Sequence, residues 1–109
     1  MKLALGTAQF GINYGVANSQ GQVSEKSATD ILRLAESAGM NILDTAVAYG
    51  SAEEVLGNIG ISSWSCITKV PPMPNDELHP KNWVETQIRE SLKRLKLSHL
   101  SAVLLHQPS

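Results

Sequence analysis

The stretch Asn41-Ile-Leu-Asp-Thr-Ala-Val-Ala-Tyr-Gly-Ser-Ala-Glu-Glu-Val-Leu-Gly-Asn-Ile59 decides the fold. Asn41-Ile-Leu-Asp44 is a brief apolar strand that ends on a carboxylate. Ser51-Ala-Glu-Glu54 then has the form of a capping box, in which a hydroxyl and a glutamate three residues on satisfy backbone donors at a helix start. A short helix bearing Val55, Leu56 and Ile59 follows. A strand that is apolar on consecutive residues and leads into a helix belongs to a parallel sheet covered by helices.

The flanks repeat that unit. Upstream, Leu3-Ala-Leu5 reads as a buried strand, and Gly6-Thr7 leads into a Gly-, Asn- and Ser-rich loop that reaches Gly21. Such a loop, of roughly fifteen residues, exceeds the usual connection length and suggests a functional or disordered segment. From Ser24, a plausible N-cap, Ala28, Ile31, Leu32, Ala35 and Ala38 recur at helical spacing until Gly39 supplies a left-handed stop. Downstream, Trp64 to Val70 reads as a third strand, halted by Pro71, Pro72 and Pro74. A long loop, Pro71 to Lys81, precedes a helix that starts at Asn82-Trp-Val-Glu85 and carries Val84, Ile88, Leu92 and Leu95 on one face. Glu85 with Arg89, and Glu90 with Arg94, are i,i+4 pairs of favourable order on its other side. Ser101-Ala-Val-Leu-Leu-His106 is a fourth strand. The order β-α-β-α-β-α-β describes one α/β domain over residues 1–109, with no internal repeat or linker.

Composition narrows the function classes. Nine basic and ten acidic residues give no electrostatic case for nucleic acid or an anionic membrane surface. Apolar runs such as Ala102 to Leu105 are too short to span a bilayer. The opening Met1-Lys2-Leu3-Ala4-Leu5 is broken by Gly6 and lacks the apolar core of a secretory signal. The single cysteine, Cys66, excludes an intrachain disulfide and reads as a buried small side chain, so a reducing, cytoplasmic setting is expected. His79 and His99 read as exposed loop residues, and with His106 they do not form a metal-ligand cluster. The glycines at 11, 15 and 21 do not spell a dinucleotide-binding G-x-G-x-x-G after a strand.

Polar residues gather where chemistry is expected, at the carboxyl ends of the strands. Asp44 ends the second strand, Lys69 lies near the end of the third and His106 ends the fourth, while Tyr49 sits in the loop after Asp44. Taken singly, each has a plain structural reading: a helix cap, a snorkelling lysine, a half-buried aromatic, a satisfied histidine. Together they form a proton-donating group. A tyrosine is a poor acid at neutral pH, but an adjacent ammonium favours its phenolate and makes it a better one. Asp44 would hold the lysine charged, and the histidine would align a carbonyl oxygen. Such a site suits hydride addition to a polarised C=O, with a cofactor supplying the hydride.

Those residues carry a family resemblance. Asp44-Thr-Ala-Val-Ala-Tyr49-Gly50-Ser-Ala-Glu53-Glu-Val-Leu56-Gly57 closely resembles the aldo-keto reductase signature, D-T-A-x-x-Y-G followed by S-E-x-x-L-G. Ala52 and the second glutamate depart slightly from its spacing. Gly6-Thr7, Thr68-Lys69, Ser91-Leu92-Lys-Arg-Leu95 and Leu104-Leu105-His106 look like further landmarks of that family, in its order. The resemblance implies the first half of a (β/α)8 TIM barrel, with four parallel strands and three intervening helices. It also implies NADPH- or NADH-dependent reduction of an aldehyde or ketone, with a sugar among the candidate substrates. The catalytic tetrad falls on Asp44, Tyr49, Lys69 and His106, and Thr7 and Asp44 fall near the nicotinamide ribose. A full barrel takes about 250 residues, so the half that binds most of the cofactor is expected to be absent and turnover by this chain alone is not expected. The open edges of a half-barrel would then invite self-association. Two alternatives stay open: a binding or regulatory module that keeps the barrel without catalysis, and a barrel enzyme in which Lys69 forms a Schiff base.

Overall fold

A computed structural model describes residues 3–11 and 24–105 of the chain. It contains β1 (Ala4–Gly6), a 3-10 turn (Ala8–Phe10), α1 (Glu25–Ser37), β2 (Ile42–Asp44), α2 (Ala52–Ile59), β3 (Ser65–Val70), α3 (Pro80–Leu95) and β4 (Ala102–Leu105). The four strands form one parallel sheet in sequence order, the arrangement predicted from the alternation of strands and helices. The 3-10 turn opens the long loop after β1, most of which lies outside the described residues, as do Gly15 and Gly21. Among the described residues no helix is long and apolar enough to cross a membrane.

Register sets the two faces of the sheet. Gly6 pairs with Asp44, Asp44 with Ile67, and Ile67 with Ala102, so these four share a face. Lys69 lies two residues beyond Ile67, on that same face and one step nearer the strand's carboxyl end. The opposite face carries Leu5, Leu43 and Cys66 in one row, with Thr68 and Val70 above them, and is packed under the helices. Leu43, Leu56, Ile61 and Leu95 are fully buried there, joined by Ala28, Leu32 and Ala35 of α1. Each buried leucine contributes about 1.5–3 kcal/mol. The helix side is therefore a packed core, whereas Gly6, Asp44, Ile67, Lys69 and Ala102 on the other, open face all keep some exposure.

Of the four helix ends predicted from the sequence, two form as expected. The Ser24 hydroxyl accepts from the Ser27 amide at 3.1 Å, and Gly39 turns the chain at φ +93°, both as predicted. The capping box at Ser51 does not form. Ser51 has φ −94° and ψ 13° and its side chain makes no cap to α2. A capping hydroxyl needs the extended backbone that aims it at the third amide. The helix predicted from Asn82 begins at Pro80, since proline at the first helical position loses no hydrogen bond and has its φ already set. On α1, Ile31 is partly exposed, so its buried stripe is narrower than the periodicity implies.

The helices α2 and α3 meet at backbone contact. A Cβ on Gly57 would lie 2.0 Å from the Arg94 carbonyl oxygen, well inside van der Waals range. This approach brings Arg94 over the buried end of α2. Arg94 does not bond Glu90, its predicted i,i+4 partner; its Nε donates to Glu53 Oε1 at 2.7 Å. A carboxylate only 2% exposed draws the guanidinium inward more strongly than a solvated one one turn away.

Candidate active site

Asp44 is the last residue of β2, and its place on the open face puts its carboxylate at the carboxyl end of the sheet. Lys69 reaches back from β3 so that its Nζ donates to Asp44 Oδ1 and, at 3.3 Å, to the Thr45 carbonyl. Backbone bonds fix the two strands at this level: the Thr45 amide donates to Ile67 O at 2.9 Å and the Val47 amide to Lys69 O at 3.0 Å. The lysine side chain is 18% exposed and the aspartate 43%. Burial alone would lower the Lys69 pKa. The hydrogen bond and charge of Asp44, with Tyr49 assisting, outweigh it and hold the ammonium above the usual lysine value. Its charge is thus secure across the neutral range.

Tyr49 stands in the turn between β2 and α2, and the Lys69 ammonium lies 5.3 Å from the centroid of its ring. That turn is held from two sides. The Tyr49 amide donates to Ala46 O at 3.1 Å, and the Ser51 amide donates to Gly11 O at 3.4 Å. A Cβ on Gly11 would fall 1.8 Å from the Tyr49 carbonyl oxygen, so only glycine lets the first loop press against the tyrosine's turn. Three of the four residues predicted to act together, Asp44, Tyr49 and Lys69, are in one cluster. The fourth, His106, lies outside the described residues.

Thr7 is fully buried at the end of β1 and donates its hydroxyl to Asp44 O at 3.0 Å. Its amide donates to the same carbonyl at 3.1 Å. Thr7 therefore shapes the wall and fixes the backbone of Asp44. A cavity of about 440 Å³ opens at the β1 side of this cluster, bounded by residues 5–10, Ile31 of α1, Asp44 and Tyr49; Lys69 is not in its lining. Among the described residues nothing lies within 4 Å of where a Cβ on Gly6 would stand, which leaves room at that wall.

Cys66 is buried on the other face of β3. Burial first, then the carboxylates of Glu53 and Asp44, push its thiol up to about 12. It holds its proton and is packing, as its apolar surroundings suggested. His79 and His99 are both exposed.

Four parallel strands that gather a carboxylate, an ammonium and a phenol at their carboxyl ends make the chain an α/β protein. The family model for the Aldo/keto reductase family matches residues 2–109, and the chain belongs to that family. It is similar to aflatoxin B1 aldehyde reductase member 2 of Rattus norvegicus, at 37% identity over 78 residues, which cover 64% of this chain and 21% of that protein. A solved structure from Pseudomonas aeruginosa, assigned to the aldo-keto reductases, is 32% identical with a TM-score of 0.78. That match covers 97% of this chain and 42% of the other. A thermostable aldo-keto reductase solved with the inhibitor epalrestat shares the fold at a TM-score of 0.68 and 23% identity, over 97% of this chain and 38% of its own. The chain thus spans about a fifth of the curated relative and about two fifths of these solved structures. The family is one of oxidoreductases.

Proposed function

We propose that this chain supplies the proton-donating half of a nicotinamide-dependent carbonyl reduction. The observation that carries the reading is the cluster itself: a lysine ammonium held by Asp44 and set 5.3 Å from the Tyr49 ring, beside a cavity of about 440 Å³. Tyr49 is the proton donor. Lys69 stabilises the phenolate left behind, and Asp44 keeps Lys69 charged and in place. His106 orients the carbonyl oxygen of an aldehyde or ketone, a sugar carbonyl among the candidates.

NADPH, or NADH in its place, supplies the hydride when bound. The residues present suit the nicotinamide end: the room beside Gly6, the buried Thr7 that fixes Asp44, and Asp44 itself in the cavity's lining, where a ribose hydroxyl could donate to its carboxylate. The Tyr49 hydroxyl gives up its proton to the carbonyl oxygen as the carbonyl carbon is reduced. The residues for the adenosine end would come from the strands that the relatives have beyond this length. A complete barrel, not this chain alone, is then the unit of turnover.

The test compares NADPH oxidation against a panel of aldehydes and ketones. It uses the 109-residue chain and a chimera in which the remaining strands come from a solved relative. Turnover is expected from the chimera, with a loss of about 100-fold or more in Tyr49→Phe, the usual contribution of a general acid. Turnover that survives Tyr49→Phe would remove the proton donor. NADPH binding with no carbonyl reduced would favour a binding or regulatory module.

A further inference from the structure

Glu53 is the one acidic side chain among the described residues that is buried, at 2% exposed. A buried carboxylate is costly unless every lone pair is matched. Here both oxygens are used: Thr68 donates its hydroxyl to Oε2 at 2.6 Å and Arg94 donates Nε to Oε1 at 2.7 Å. Arg94 in turn donates from Nη2 to the buried Ser91 hydroxyl at 3.3 Å. Three elements, α2, β3 and α3, meet on this one carboxylate. A buried ion pair of this kind adds little stability over a well-packed apolar pair, so its value lies in fixing geometry.

The geometry it fixes is that of the site on the other face. Thr68 is the residue before Lys69 on β3, pointing to the helices while Lys69 points to Asp44. Glu53 sits in the first turn of α2, and the turn bearing Tyr49 runs directly into that helix, with the Ala52 amide donating to Tyr49 O at 3.0 Å. The bond from Thr68 to Glu53 therefore ties the strand of the lysine to the segment of the tyrosine from behind. Asp44 and Tyr49 are the groups whose charge and hydrogen bonds hold the Lys69 ammonium. Glu53 reaches Lys69 through the backbone of β3, although its charge is felt by Cys66 on its own side.

We propose that Glu53 is a positioning residue: by taking the Thr68 hydroxyl and the Arg94 guanidinium together, it sets where Lys69 places its ammonium relative to Asp44 and Tyr49. The proposal rests on the reading of Lys69 as part of the proton-donating group, but its test reads the lysine and not turnover. A chain that reduces no carbonyl still decides the question. The 109-residue chain is acetylated with acetic anhydride under competitive conditions, and the rate at each lysine is read by mass spectrometry. In Thr68→Val the Lys69 rate is expected to rise about threefold, because an ammonium held less closely by Asp44 and Tyr49 gives up its proton more readily. The exposed Lys26 and Lys81 should not change. Thr68→Ser, which keeps the hydroxyl, should restore the original rate. A folded Thr68→Val with an unchanged Lys69 rate overturns the proposal, as does a Thr68→Ser that behaves like Thr68→Val. Should Thr68→Val not fold, Thr68→Ala removes the same hydroxyl without presenting a methyl to the carboxylate and is read in the same way. If neither folds while Thr68→Ser does, the bond belongs to stability alone and the proposal fails.

Discussion

Gly57→Ala sets two physical effects against each other. Alanine is the better helix former by about 0.8–1.0 kcal/mol, so an exposed helical glycine replaced by alanine would stabilise the chain. Gly57 is buried within α2, and the new Cβ would stand 2.0 Å from Arg94 O and 3.0 Å from Arg94 C. Non-bonded heavy atoms in ordinary contact are about 3.5 Å apart, so α2 and α3 would have to separate by more than roughly an ångström. The obstacle is backbone, which cannot rotate away. Overpacking of this sort costs about 1–3 kcal/mol, occasionally more. With backbone only 2.0 Å away the upper part of that range, about 2–3 kcal/mol, applies, so steric cost outweighs propensity and a net loss of about 1–2 kcal/mol is expected. At about 4–8 °C per kcal/mol for a domain near this size, the melting temperature should fall by roughly 4–16 °C. Urea titration followed by circular dichroism supplies the free energy and thermal melting the second reading. A Gly57→Ala chain more stable than the parent would show that propensity decides, and the close approach of the two helices would be wrong.

Thr45 is fully buried and its hydroxyl oxygen finds no hydrogen-bond partner among the described residues. Thr45→Val should therefore be neutral or stabilise by about 1 kcal/mol in urea titration, and a clear loss would mean the hydroxyl is used. Leu104 and Leu105 on β4 are about half exposed, and Leu3 beside β1 is likewise exposed. Gel filtration of the chain should therefore show self-association, and a stable monomer would count against the open edges as sticky surfaces.

The fold is legible in the sequence because its signals are local. Each strand is a short apolar run, each helix has a 3.6-residue apolar stripe, and their alternation leaves few topologies. Asp44 and Lys69 are legible for a related reason, since polar residues that end apolar strands of a parallel sheet have one place to go. Glu53 is not. Its partner Arg94 is 41 residues away, and the nearer glutamate one turn back on α3 is the choice that helix rules favour. A signal does exist: Glu53, Leu56 and Gly57 lie at i, i+3 and i+4, and that spacing places the glutamate on the buried face of α2. The start of α3 is hidden because a proline after other prolines signals a loop, whereas at a first helical position it is at home.

Asp44, Lys69 and Tyr49 are brought together in this chain, and the charge pair among them is only partly buried. The Asp44 side chain is 43% exposed, so water reaches the carboxylate that holds Lys69. Two unit charges about 4 Å apart attract by about 1 kcal/mol in bulk water and about 4 kcal/mol at the effective dielectric near a protein surface. Covering the open face would move the pair from nearer the first value toward the second without moving an atom of it. Salt distinguishes the two conditions, since it screens exposed pairs and leaves buried ones largely alone. In the isolated chain, raising ionic strength should weaken the hold of Asp44 on Lys69 and speed acetylation of that lysine at fixed pH. In the chimera with a closed barrel the same salt should have little effect. Equal salt dependence in both would mean that added strands do not change the environment of the pair, and the dielectric argument would be wrong.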